Sequence, residues 1–195
     1  SNPAEIPDGG INIPIMGIFP FLDENEKIKS QYEQSIESLI VNIQTLKKSE
    51  PENKIIAITS PTKENGKSTT SLALASKIAN LNYKVLLIDA DYKRGSLHKE
   101  LGQKTLSVDS INNISGDNLK DLEVSNNLYF IPRISKLNDT FRWVSSGSLQ
   151  NLIEDELLDK FDYIIIDTAP VLSVSDTSLI LGISHMNFLL VRHKL

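Results

Sequence analysis

Cysteine is absent from the 195 residues, so disulfides and thiolate metal sites are excluded. That absence fits a cytosolic setting. An excess of basic charge is also missing. Lys+Arg number 20 against 25 for Asp+Glu, a formal charge of -5, which argues against a generic nucleic-acid binder. The basic pairs Lys47-Lys48 and Lys93-Arg94 are too short to form such a patch. Long hydrophobic runs are lacking as well. Stretches such as Val85-Leu86-Leu87-Ile88 fall far below the ~20 residues of a membrane-spanning helix. Ser1-Asn2-Pro3 has no basic segment leading into an apolar one, so no signal peptide is expected, and Ser1-Asn2 reads as a cloning remnant on a fragment. There is no internal repeat or low-complexity tract. What remains, 40% hydrophobic and 23% charged, is the composition of a globular domain rather than a disordered chain.

Residues 1–30 carry Pro3, Pro7, Gly9, Gly10, Pro14 and Pro20, which predicts an extended arm. Its segment from Ile11 to Pro20 is too apolar for a free tail. Residues 31–195 are expected to form the folded domain. Tyr32, Ile36, Leu39, Ile43 and Leu46 recur every three or four residues and predict a helix over 30–47. Strands are then predicted at 55–59, 84–89, 128–131, 163–167 and 188–191, with helices at 68–81 and 148–158. Continuous apolar strands alternating with helices predict an α/β fold, a mostly parallel central sheet flanked by helices. In such sheets ligands bind beyond the carboxyl ends of the strands. The chemistry is therefore sought just after each strand.

Three segments stand there. After the first strand, Thr62-Lys63-Glu64-Asn65-Gly66-Lys67-Ser68-Thr69 leads into a helix, and Gly-Lys-Ser between strand and helix is the core of a phosphate-binding P-loop. Backbone N–H groups and the helix dipole converge on an anion there. Gly66 permits close backbone approach, Lys67 supplies a point charge, and Ser68 offers a hydroxyl to Mg²⁺. The motif's first glycine is replaced by Pro61. After the second strand comes Asp89-Ala90-Asp91, two carboxylates on one side of the chain. They are candidates for holding Mg²⁺ or accepting a proton from an incoming hydroxyl. After the fourth strand, Asp167-Thr168-Ala169-Pro170 places an acid where a Walker B strand holds its metal. Each segment has a plainer reading: a turn capped by Ser68, an Asp91 paired with Lys93 or Arg94, a turn capped by Asp167. Three such turns at the ends of three parallel strands make a shared site the better account. His98, His185 and His193 show no metal-ligand spacing, and Phe141 and Trp143 are expected in the core.

The three motifs together resemble the bacterial tyrosine kinase domain of Wzc-like polysaccharide co-polymerases, within the MinD/ParA-like P-loop group. The segment Val85 to Arg94, followed by Gly95-Ser96-Leu97-His98-Lys99, is the most specific part of the likeness. The arm from Ile13 to Pro20 resembles the segment that follows the second transmembrane helix in that family. The resemblance implies phosphoryl transfer from ATP to tyrosine. Residues 62–69 would cradle the nucleotide, with Lys67 gripping the phosphates. Ser68, Asp89 and Asp167 would serve Mg²⁺, and Asp91, or Asp89, would orient or deprotonate the acceptor. It also implies a homo-oligomer anchored at the cytoplasmic face of the inner membrane, a polysaccharide export machinery and a tyrosine phosphatase as partners, and no nucleic acid. Two other readings stay open: a P-loop ATPase switch without kinase activity, and a non-catalytic assembly module. The chain departs from the family in several places. Gln34, Glu37 and Ile40 stand where many members have E-x-x-R-x-x-R, and Lys63-Glu64 replaces a Pro-Gly pair. Five scattered tyrosines replace a C-terminal cluster, and the family domain continues beyond the point reached by Leu195.

Overall fold

The computed structural model describes residues 16–20, 25–50, 52, 54–135, 137 and 140–191. Residues 1–15 and 21–24, and with them most of the predicted arm, lie outside that set, as does His193. The chain divides into two units, Ser1–Ser49 and Glu50–Leu195.

In the first unit, helix α1 spans Glu26–Ser49 and buries Tyr32, Ile36, Leu39, Ile40 and Ile43. It starts earlier than the spacing predicts. The Asn25 side chain accepts the Lys27 N–H at 2.9 Å, and Glu26 sits at the positive end of the helix dipole. Met16, Ile18 and Phe19 lie along the helix. Ser35 donates to the Ile18 carbonyl at 2.8 Å, Asn42 donates to Met16 O at 2.7 Å, and Phe19 packs on Tyr32 at 5.5 Å.

The second unit follows the predicted alternation. Its elements are β1 (Ile55–Thr59), α2 (Lys67–Asn80), β2 (Val85–Ala90), α3 (Leu97–Glu100), α4 (Val108–Asn112), β3 (Glu123–Ser125), β4 (Leu128–Ile131), α5 (Thr140–Ser145), α6 (Ser148–Asn151), β5 (Tyr163–Thr168), α7 (Asp176–Ile183) and β6 (Met186–Leu189). The described strands form one sheet in the order β3-β4-β2-β5-β1-β6. All neighbours are parallel except the β3–β4 pair at one edge. Every residue of β1, β2 and β5 is buried, as the unbroken Ile, Val and Leu runs require of strands covered on both faces. Burying each such side chain stabilises the fold by about 1.5–3 kcal/mol.

Two predicted elements differ. The helix expected over 148–158 winds as α only through α6, widens over Leu152–Leu157, and closes in a 3₁₀ turn at Leu158–Lys160. This slack lets Leu149, Ile153 and Leu157 all face the core. The last strand lies earlier than predicted, at Met186–Leu189. The His185 backbone N–H bonds Ile55 O at 2.9 Å, and its Nδ1 accepts the Lys54 and Ile55 N–H groups at 3.0 and 3.2 Å. That anchor fixes the register Ile56↔Met186. Trp143 packs against the core and meets Tyr92 edge-to-face at 5.5 Å, whereas Phe141 is half exposed, against expectation.

The order of strands decides where the chemistry lies. β5 runs between β1 and β2, so the loop leaving β1 and the carboxyl ends of β2 and β5 share one rim of the sheet. Asp167 stands beside Ile58 of β1 on one side and beside Asp89 of β2 on the other.

Candidate nucleotide site

The loop from Pro61 to Gly66 is shaped by its own side chains. Ser60, fully buried, donates to Thr62 O at 2.5 Å. Asn65 reaches back to Thr62 O at 2.7 Å and Lys63 O at 3.3 Å. Gly66 has φ 80, a left-handed conformation that glycine adopts without strain. Glu64 holds φ 60 without that freedom, at the place where a glycine would be the easier choice. No side chain caps α2, whose first N–H groups open toward the loop. A long helix starting from a Gly-Lys-Ser turn is an anion site by backbone geometry and dipole together. Thr62, Lys63, Glu64 and Thr69 are exposed around it, while Lys67 is buried at 8% exposure.

The helix places two hydroxyls on Asp167. Ser68 donates to Oδ2 at 2.6 Å and Ser71 to Oδ1 at 3.0 Å. Burial pushes the Asp167 carboxyl up to about 6, held back by the Ser68 bond and the Lys67 charge. Across the strand, Asp89 is fully buried. Burial, then the charges of Asp167 and Asp91, lift it to about 8, opposed by the Asp91 N–H and by Arg133. Asp89 Oδ1 accepts the Asp91 N–H at 3.3 Å, while Oδ2 is buried without a hydrogen-bond partner. Asp91 is half-exposed, and its Oδ1 closes a turn by accepting the Arg94 N–H at 2.9 Å.

The predicted residues Gly66, Lys67, Ser68, Asp89 and Asp167 therefore meet at one rim. An orphaned, buried carboxylate oxygen that feels the charge of a second carboxylate, itself held by a serine hydroxyl, suits a hard divalent cation. Among the described residues no three His, Cys, Asp or Glu side chains converge as a metal cage. A cation here would complete its shell from phosphate and water, the usual habit of Mg²⁺.

The sequence reading missed Ser71 and Arg133, and it named Gly95 within a motif without giving it a role. Ser71 carries a signal in hindsight, since three residues from Ser68 is the same helix face. Gly95 packs directly on Asp89, and a Cβ there would collide with the carboxylate. Gly95→Ala is accordingly expected to cost about 1–3 kcal/mol, read as a lower urea midpoint at unchanged slope. Arg133 Nη1 donates to Tyr92 O at 3.0 Å and so braces the turn after Asp91. Nothing in the spacing announces it, because it reaches the site only through the pairing of β4 with β2. Around the end of β5, the buried hydroxyls of Thr59 and Thr177 donate to Ala169 O at 3.2 and 3.1 Å and that of Thr168 to Ile58 O at 3.0 Å, fastening the turn after Asp167.

A lysine at the start of a phosphate-facing helix, opposite two strand-terminal carboxylates, defines a P-loop nucleotide-binding domain. A family model described as AAA domain matches residues 53–191. The tyrosine-protein kinase CpsD of Streptococcus agalactiae is 33% identical over 166 residues, covering 82% of this chain and 69% of its own length. Other matched curated relatives are longer, and the chain spans 17–20% of them. The kinase domain of Escherichia coli tyrosine kinase ETK superposes with a TM-score of 0.73 at 26% identity, over 85% of this chain and 65% of that one. A putative plasmid partition protein of Borrelia burgdorferi, solved with AMPPNP, superposes with a TM-score of 0.54 at 29% identity, over 70% and 62%. The chain belongs to the bacterial tyrosine-protein kinase family of the P-loop group.

Proposed function

We propose that this chain binds ATP with Mg²⁺ and transfers its γ-phosphoryl group to tyrosine. The observation that carries the reading is the meeting of Lys67, Ser68, Asp167 and the unpartnered Asp89 Oδ2 at the N-terminus of α2. Residues 62–69 cradle the phosphates, and Lys67 grips the β- and γ-groups. Ser68, Asp89 and Asp167 hold the cation. When bound, Mg²⁺ neutralises charge on the phosphoryl oxygens. Asp91, at the accessible rim, orients the tyrosine hydroxyl and accepts its proton. Asp89 is too deeply buried to meet an acceptor arriving from solvent. The tyrosine oxygen bonds the γ-phosphorus, the bond to the β–γ bridging oxygen breaks, and ADP leaves.

On this reading the acceptor is none of the buried tyrosines. Tyr32, Tyr92 and Tyr163 are buried, and Tyr83 and Tyr129 are half-buried. The family resemblance supports reading the chain as part of a membrane-anchored homo-oligomer on the cytoplasmic face of the inner membrane, one that governs polysaccharide chain length and export and is opposed by a tyrosine phosphatase. No helix among the described residues is long and apolar enough to cross a membrane. On this reading the chain enters from the membrane ahead of α1, which itself begins at Glu26.

The test is incubation of the chain with ATP, Mg²⁺ and a glutamate–tyrosine copolymer. Phosphotyrosine on the copolymer, with little on the chain itself, is expected. ATP hydrolysis without phosphotyrosine would instead establish the ATPase switch, and absence of nucleotide binding the assembly module.

A further inference from the structure

Ser71 is fully buried on a face of α2 that, beyond the first turn with Lys67 and Thr70, buries Leu74, Ala75 and Ile78. Alanine would suit that face better by helix propensity and would leave no hydroxyl to satisfy. The Ser71 hydroxyl instead leaves its own helix and bonds Asp167 Oδ1 at 3.0 Å, on β5. Ser68 takes the other oxygen at 2.6 Å. The last torsion of an aspartate is broad, so one hydroxyl on one oxygen does not fix the carboxylate plane. Two hydroxyls a helical turn apart, one on each oxygen, do. Their duties differ. Ser68 is half-buried at the loop, whereas Ser71 is sealed from solvent and has no ligand to reach.

We propose that Ser71 is a positioning residue that clamps Asp167 Oδ1, so that the carboxylate stays oriented toward a divalent cation when the Ser68 hydroxyl turns to that cation. The inference rests on the nucleotide-site reading above and assigns Ser71 no contact with nucleotide or metal.

The probe is Mn²⁺, titrated by electron paramagnetic resonance into the 195-residue chain saturated with AMP-PNP. Outer partners of metal ligands typically govern affinity by ~10–100-fold, and Ser71→Ala is expected to weaken Mn²⁺ binding by about tenfold. AMP-PNP binding in the presence of EDTA should be unchanged. Ser71→Thr and Ser71→Val have the same shape and differ in the hydroxyl, so Thr should bind Mn²⁺ more tightly than Val. Equal Mn²⁺ affinity for the wild type and Ser71→Ala would overturn the proposal, as would equal affinity for Thr and Val. Loss of the fold in Ser71→Ala with retention in Ser71→Thr would also overturn it, by making the bond a folding contact. A wild type that binds no Mn²⁺ with AMP-PNP would sink the nucleotide-site reading itself.

Discussion

Lys67→Met is expected to lower phosphotyrosine formation about a thousandfold while leaving the chain folded. Methionine keeps most of the stem length and packs well at a site that is 8% exposed. What it removes is, among the described residues, the one buried lysine or arginine. That charge acts twice. It faces the anion that α2 and the loop are built to receive, and it holds down the proton affinity of Asp167. Without it Asp167 keeps only the hydroxyls of Ser68 and Ser71. Phosphotyrosine immunoblots and binding of a fluorescent ATP analogue would measure the effect. Nucleotide binding and turnover near wild type would show that the phosphates sit elsewhere.

The sheet was legible because its strands are buried on both faces. A strand such as Ile55–Thr59 carries no alternation, and the turn residues around it mark its ends. The phosphate loop and the two acidic strand ends were legible for a related reason: a carboxylate at the end of an Ile run has to be justified by a ligand or a bond. The elements that escaped depend on tertiary pairing. β3 has three residues, two of them exposed, and it exists because it pairs with Tyr129 and Leu128 of β4. Short helices such as α3 and α4 lack the length for a periodic signal. The last strand was placed late because the apolar run Phe188 to Val191 outweighed the anchor at His185, a backbone contact that no pattern reveals. Within the site, Arg133 is distant in sequence from everything it touches.

Asp89→Asn is expected to trade activity for stability. Loss of the carboxylate proposed to hold the cation should lower the rate by about a hundredfold or more. The same change should stabilise the nucleotide-free chain, increasingly so as the pH rises. Asp89 ordinarily titrates near 3.8 and here is pushed up to about 8 by burial and by Asp167 and Asp91. The folded state therefore holds a proton that the unfolded state has released. Stability is fully present below the ordinary carboxylate range and is lost as the pH climbs through the raised value. Between about pH 6 and pH 8 the loss is on the order of 2 kcal/mol. Asparagine has the same shape, so it fits against Gly95, where added bulk would not. Its carbonyl can still accept the Asp91 N–H, and its amide would put a donor where Oδ2 has no partner, beside two acidic neighbours. Thermal unfolding at the two pH values should show the wild type falling and Asp89→Asn nearly level. Addition of Mg²⁺ with AMP-PNP should rescue the wild type at the higher pH and leave the variant little changed. A wild-type midpoint that rises over this range would mean that Asp89 is ionised and already paired, and the cation-holding role would then lose its physical basis.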